Sequence, residues 1–335
     1  MTRIAVEDFT IASTAPGIRL SLRHKWRPEA KAQRGEDVLL FVHGATYPAK
    51  TSFDLPIEGE SMMDWFVQAG YEVYTLDVRG FGDSTRMAAL DFPPEAHDAL
   101  VPTHEAASDL ASAVQHITQT HGFSAINVMG WSWGTSIAGL FTSQNNTQVH
   151  RLVLYAPMWL FPEALATPPN GVPDPRATTG AYRSVSREHA KARWLNGLTP
   201  AQAEGLIAPG VFDAWADATW ATDPTSAQTG LLRAPNGPFA DVMRYWKKGQ
   251  PLYDAGAIRV PTLLIHAEWD VDLPFALAHG LFQALTHAPE RRLIELSEGT
   301  HTVMLEKNRR MFFREILNFL TEPNAPRPSQ ASTPT

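Results

Sequence analysis

The sequence predicts an α/β fold, a mostly parallel central sheet with helices on both faces and an inserted helical segment. Short apolar runs of strand length alternate with stretches of helical spacing, the signature of strands buried on both faces and joined by crossover helices. That rhythm stops near residue 159 and resumes near 257. With 335 residues, 44% of them hydrophobic and 19% charged, the chain can also bury a large core without cross-links.

The elements follow in order. Phe9–Ala12 and Gly17–Leu22 suggest a leading antiparallel hairpin. Val38–Val42 is a continuous apolar run, followed at once by His43-Gly44. Residues 60–69 place Met62, Met63, Phe66 and Val67 near helical spacing, and residues 71–76 read as the next strand. Thr103 to Thr120 reads as a helix with a partial capping box, Thr103 at the cap and Ala106 where Glu or Gln is usual. Ala125–Met129, a helix over 133–143 and the strand Arg151–Tyr155 complete the first half. Residues 159–256 mix Trp, Ala and Pro with helical stretches and show no strong strand, so they read as a helical cap inserted into a core formed by 1–158 and 257–321. A proline cluster from Pro157 to Pro175 marks its entrance. After it come strands over 262–266 and 291–296, a helix from Pro274 to Leu285, and a final helix over 303–320. The Pro-, Ser- and Thr-rich tail, 322–335, can bury little apolar surface and is expected to be disordered.

Composition narrows the function classes. The chain has no cysteine, which excludes disulfides, thiolate metal sites and a Cys nucleophile. A net charge of −7 argues against a general partner in nucleic acid or anionic membrane. No apolar run approaches the about 20 residues that span a bilayer. Residues 1–8 carry no apolar signal segment, so the expected location is cytoplasmic, although a secreted chain numbered after processing would begin the same way.

Chemistry concentrates around Gly130-Trp131-Ser132-Trp133-Gly134, between a strand and a helix. A serine on a sharp strand-to-helix turn is held at the carboxyl edge of a sheet, and the flanking glycines leave room for the tight backbone. An ordinary helix-capping Ser is the plainer alternative. The pentapeptide, the His43-Gly44-Ala45 loop after the first core strand, and Asp77-Val78-Arg79-Gly80-Phe81-Gly82-Asp83-Ser84 after the next together resemble the α/β-hydrolase family. The resemblance runs in the family's order over roughly 9–160 and 260–320. It implies the α/β-hydrolase fold with a helical cap, and Ser132 as nucleophile. Dehalogenases and epoxide hydrolases of the family use Asp at that position, which argues against both.

A serine hydroxyl needs a histidine to take its proton and a carboxylate to orient that histidine. Of twelve histidines, His301 lies in the Gly-containing loop between the last strand and the last helix, where the family's catalytic His falls. After strand 262–266 the acid is Asp270 or Asp272; Asp270 fits the family offset better, although His266 stands where Gly is usual, and Asp272 also reads as a turn residue before Pro274. The resemblance places the oxyanion hole at the backbone N–H groups of Ala45 and Trp133. Trp131, Trp159 and Trp269 are the expected substrate contacts, and the abundant cap tryptophans make either a pocket wall or the cap's own core. Arg183, Arg187 and Arg193 read as solvated helix surface before an anion site. Gly80-Phe81-Gly82 has Thr85 where a dinucleotide loop needs Gly or Ala, and no metal-ligand spacing occurs, so neither cofactor nor metal is expected.

The expected function is hydrolysis of a carboxylic ester of a small or medium, largely apolar substrate through an acyl-enzyme. Amide or peptide cleavage with the same residues is the alternative: Ser-Trp-Gly also occurs in prolyl aminopeptidase-like relatives, but their Gly-Gly-Pro-Gly loop is absent. A non-catalytic ligand receptor on the same fold is the alternative of another class. The oligomeric state is not legible.

Overall fold

A computed structural model describes residues 3–161 and 180–323. The strands are β1 (Ala5–Ala12), β2 (Arg19–Trp26), β3 (Val38–Val42), β4 (Glu72–Asp77), β5 (Ile126–Trp131), β6 (Val149–Tyr155), β7 (Tyr182–Ser186), β8 (Leu231–Pro235), β9 (Thr262–Ala267) and β10 (Arg291–Leu296). Eight of them form one sheet in the order β1-β2-β4-β3-β5-β6-β9-β10. From β4 to β10 every pairing is parallel, and the leading hairpin adds two antiparallel strands at one edge. Every residue of β3, β4 and β5 is buried, as continuous apolar runs in a covered parallel sheet require.

The chain order sets where a site can form. After β3 the chain moves to one side to make β4, then returns to the other side to make β5. The carboxyl ends of β3 and β5 thus flank the point where strand order reverses, the place where open α/β sheets leave a crevice. Val42 pairs with Gly130 there, so the loops after the two strands start side by side.

Helices α1 (Ala49–Phe53), α2 (Met62–Gln68), α3 (Thr103–His121) and α4 (Trp133–Gln144) link the first strands. Helix α2 opens with a full capping box: Asp64 N–H donates to Ser61 Oγ, and Ser61 N–H donates to Asp64 Oδ2. The cap expected at Thr103 is not formed. Pro102 is the capping residue of α3, and Thr103 Oγ1 accepts the Trp133 indole N–H at 2.8 Å. A tertiary hydrogen bond wins over the local one.

Two further expectations are corrected. The segment 303–320 is not one helix. A short turn, Val303–Leu305, is separated from the helix Arg309–Thr321 by Glu306, whose backbone is extended and whose carboxylate reaches back to Thr300. The inserted segment is not purely helical either: β7 and β8 pair antiparallel within it, alongside the helices Arg187–Trp194 and Val211–Trp220. Most of the proline cluster (162–175) and most of the tail (324–335) lie outside the described residues. Among the described residues no helix is long and apolar enough to cross a membrane.

One buried ion pair ties the loop after β4 to α3. Asp109, with no exposed side-chain surface, accepts from the Arg79 guanidinium at 2.6 and 2.9 Å, from Arg79 N–H and from Ser13 Oγ. Burial opposes the Arg79 charge, and Asp109 more than offsets it, raising the pKa. Asp109→Ala leaves that cation only the longer contact to Glu105 at 3.6 Å, and urea unfolding should show a loss of about 3–5 kcal/mol. A loss under about 1 kcal/mol would place Arg79 in solvent instead.

Candidate active site

Ser132 sits at the carboxyl end of β5, where the chain turns sharply into α4. Its backbone has φ 56° and ψ −121°, a region that side-chain-bearing residues rarely adopt and that costs about 1–3 kcal/mol. The turn is held by Ser132 N–H donating to Tyr155 O, and by Thr135 N–H and Oγ1 donating to Ser132 O. The glycines are steric necessities. A Cβ at Gly130 would lie 2.2 Å from Gly134 O, and one at Gly134 would lie 2.3 Å from Val42 O.

His301 lies in the loop between β10 and the final helix. Its Nδ1 is 2.7 Å from Asp270 Oδ2. The other Asp270 oxygen accepts the N–H groups of Asp272 and Leu273, which fixes the carboxylate after β9. Because a carboxylate only accepts here, Nδ1 carries the proton, which makes Nε2 the acceptor nitrogen of the neutral ring. Asp272 takes a different partner, an ion pair with Arg193 at 2.7 Å. Geometry therefore links the imidazole to Asp270 and not to Asp272.

Three side chains pin the backbone around His301. Tyr155 Oη donates to Thr300 O at 2.6 Å, the Trp131 indole N–H donates to His301 O at 2.9 Å, and Glu306 accepts Thr300 N–H at 3.0 Å. Ser132 and His301 line one cavity with Gly44, Ala45, Tyr47, Trp131, Trp194, Trp215, Arg193 and Asp272 among its walls. The imidazole is hydrogen-bonded to Asp270, and among the described residues no hydrogen bond joins it to the Ser132 hydroxyl.

The loop after β3 passes beside Ser132; a Cβ at Gly44 would lie 3.2 Å from Ser132 Cβ. His43 is wholly buried beneath it. Val78 N–H donates to His43 Nε2, so Nδ1 must carry the proton, and it donates to Gly44 O at 2.7 Å. Burial pushes the imidazole pKa down to about 4, which keeps it neutral in that tautomer. Fixing the Gly44 carbonyl fixes the plane of the peptide that carries Ala45 N–H. Trp133 is the first residue of α4, so its N–H has no acceptor within the helix.

Arg183 on β7 holds the same loop from the inserted segment. It donates to Ala45 O at 2.6 Å and to Thr46 Oγ1 at 2.7 Å, and lies over the Phe239 ring. Burial pushes its pKa down to about 9, still protonated at neutral pH. The reading of Arg183 as solvated surface is thus corrected, since it braces the loop, while Arg187 and Arg193 do stand at the surface, paired with Asp217 and Asp272, and Arg193 also borders the cavity.

Of the three tryptophans expected at the substrate, Trp131 lines the cavity. Trp159 stacks edge-on against Tyr253 and packs on Gly280, and Trp269 lies under the Lys307 ammonium; neither borders the cavity. Its aromatic wall comes from Tyr47 and from Trp194 and Trp215, which also build the insertion's own core with Phe212 and Trp220. Sequence reasoning missed Tyr47 and Glu306. Nothing near Tyr47 marks it, because its partner Trp215 is far along the chain, and Glu306 joins the nearby Thr300 to Trp194, 112 positions away.

His43 yields a pH prediction. The unfolded chain takes up a proton near the ordinary value of 6.5, while the folded chain resists until about 4. Its contribution is therefore complete above pH 6.5 and is lost between 6.5 and 4, on the order of 3 kcal/mol. Urea unfolding from pH 7 to 4.5 should show a steeper loss in the wild type than in His43→Phe. Equal slopes would contradict the buried neutral imidazole.

A family model described as "alpha/beta hydrolase fold" matches residues 37–307. No curated relative matches at the sequence level. Among solved structures, the chain is similar to an enol-lactonase from Burkholderia xenovorans LB400 (17% identity, TM-score 0.61, covering 93% of this chain and 100% of that one). It is similar also to a thermophilic esterase from Thermogutta terrifontis (16%, 0.58, 94% and 100%) and to the 2-hydroxy-6-oxo-6-phenylhexa-2,4-dienoate hydrolase of Rhodococcus sp. strain RHA1 (16%, 0.58, 95% and 100%). These likenesses concern the fold, and the family match covers most of the chain: this protein belongs to the α/β-hydrolase family.

Proposed function

We propose that the protein is a serine hydrolase that cleaves a carboxylic ester of a small or medium, largely apolar substrate through an acyl-enzyme. The observation that carries this reading is the left-handed Ser132, sharing one cavity with an imidazole whose Nδ1 is bonded to a buried carboxylate. In the proposed reaction Ser132 Oγ attacks the ester carbonyl while His301 Nε2 takes the hydroxyl proton. Asp270 stabilises the imidazolium that forms. The negative charge on the former carbonyl oxygen is received by Ala45 N–H and Trp133 N–H, at the amino end of α4. Collapse expels the alcohol, which takes the proton from His301. A water then repeats the sequence on the acyl-Ser132 ester, releasing the acid and restoring the hydroxyl.

The cavity walls support an uncharged substrate. Trp131, Trp194, Trp215 and Ala190 give the acyl chain apolar contact. The charged edge, Arg193 with Asp272, is already paired, so a substrate anion would compete with Asp272 for the guanidinium. No nucleic-acid or membrane partner is invoked.

A fluorophosphonate probe should label Ser132, and His301→Ala should abolish the labelling; an unlabelled wild type would favour a non-catalytic receptor. Against a panel of esters, uncharged acyl groups should be turned over at least about tenfold faster than carboxylate-bearing ones, which must be desolvated against the tryptophans. Equal turnover would contradict the apolar pocket. Amides measured in the same panel separate the esterase reading from a peptidase.

A further inference from the structure

Glu306 has no exposed surface, does not border the cavity, and has no cation within ion-pair distance among the described residues. A buried carboxylate in such a place is expensive, and an apolar side chain of similar volume would fill the space at lower cost. Its oxygens instead accept three hydrogen bonds. Oε2 takes Thr300 N–H at 3.0 Å, and Oε1 takes both Thr300 Oγ1–H and the Trp194 indole N–H, the latter at 2.8 Å. Thr300 immediately precedes His301. Trp194 ends the inserted helix Arg187–Trp194 and is one wall of the cavity. The backbone at Glu306 is extended, between the short turn Val303–Leu305 and the last helix.

The cavity beside Ser132 has a volume of about 30 Å³, room for roughly one or two water molecules. Pockets that hold organic ligands are typically about 300–1,000 Å³. An acyl group needs more room than that cavity holds, and the wall that the insertion supplies includes Trp194. We propose that Glu306 is a positioning residue that couples the inserted segment to His301: displacement of Trp194 by the substrate is passed through one carboxylate to the peptide that sets the imidazole. The inference rests on the reading of His301 as the base. Glutamine cannot replace Glu306, since its amide NH2 would face a donor wherever it is placed.

The test uses the full-length chain and a fluorophosphonate, with labelling of Ser132 resolved into a maximal rate, kinact, and an affinity, KI, alongside thermal melting. Glu306→Gln should lower kinact about 10–100-fold, the penalty of a slightly misplaced base, while KI stays within about twofold. Trp194→Phe, which keeps an aromatic side chain but gives up the fused ring and its N–H donor, should lower kinact about 3–10-fold when measured well below its Tm. The double variant should be no slower than Glu306→Gln alone, because both changes break one network. A kinact unchanged in the single variants, or effects that multiply in the double variant, would overturn the coupling. Should Glu306→Gln fail to fold, Trp194→Phe decides alone: a wild-type kinact overturns the proposal. A wild type whose Ser132 is never labelled would sink the hydrolase reading itself, an outcome distinct from a labelled wild type with indifferent variants.

Discussion

One constraint organises this molecule: Ser132 occupies a backbone conformation it would not choose. A residue with φ 56° persists only where its surroundings over-determine it. Here the sheet provides that compulsion. The hydrogen bond from Ser132 N–H to Tyr155 O continues the β5–β6 ladder one residue beyond the strand, and the absence of side chains at Gly130 and Gly134 lets α4 start against β3. The strain at Ser132 is borne by strands β3 and β5, which are buried throughout.

The neighbouring groups are arranged on the same logic, in that backbone carbonyls are tied down so that other atoms are aimed. His43 and Arg183 hold the carbonyls of Gly44 and Ala45. Trp131 and Tyr155 hold those of His301 and Thr300. Three of these four tethers come from residues at or just beyond the ends of the sheet strands β3, β5 and β6, so the geometry of the site inherits the rigidity of the sheet. The fourth, Arg183, comes from the insertion, and with Arg193 and Trp194 it makes that segment part of the site's frame.

Much of this was legible in the sequence. The apolar run at 38–42 marks a strand with those same limits, because a parallel strand buried on both faces reads that way, and the stretch 291–296 also keeps its limits although it is a partly exposed strand at the sheet edge. The order of motifs locates Ser132, Asp270 and His301 in three loops that the fold brings to one edge. What escaped notice depends on distant partners. Thr103 looks like a cap until Trp133 claims its hydroxyl, and Glu306 looks like an ordinary early-helix acid until Thr300 and Trp194 converge on it. The β7–β8 hairpin escaped for another reason: Tyr182–Ser186 has no buried residue and no apolar alternation, since it packs as a short edge ribbon. Trp159 and Trp269 were plausible by proximity in sequence, but their rings turn toward Tyr253 and Lys307.

The central claim is that a charge developing on an acyl oxygen at Ser132 meets two backbone donors and a base held by Asp270. A crystal structure of the chain after reaction with a fluorophosphonate tests this most directly. The account predicts phosphorus bonded to Ser132 Oγ, with one phosphonyl oxygen about 2.7–3.1 Å from both Ala45 N and Trp133 N and His301 Nε2 on the opposite side. An adduct on another residue, or a phosphonyl oxygen turned away from both N–H groups, would contradict it.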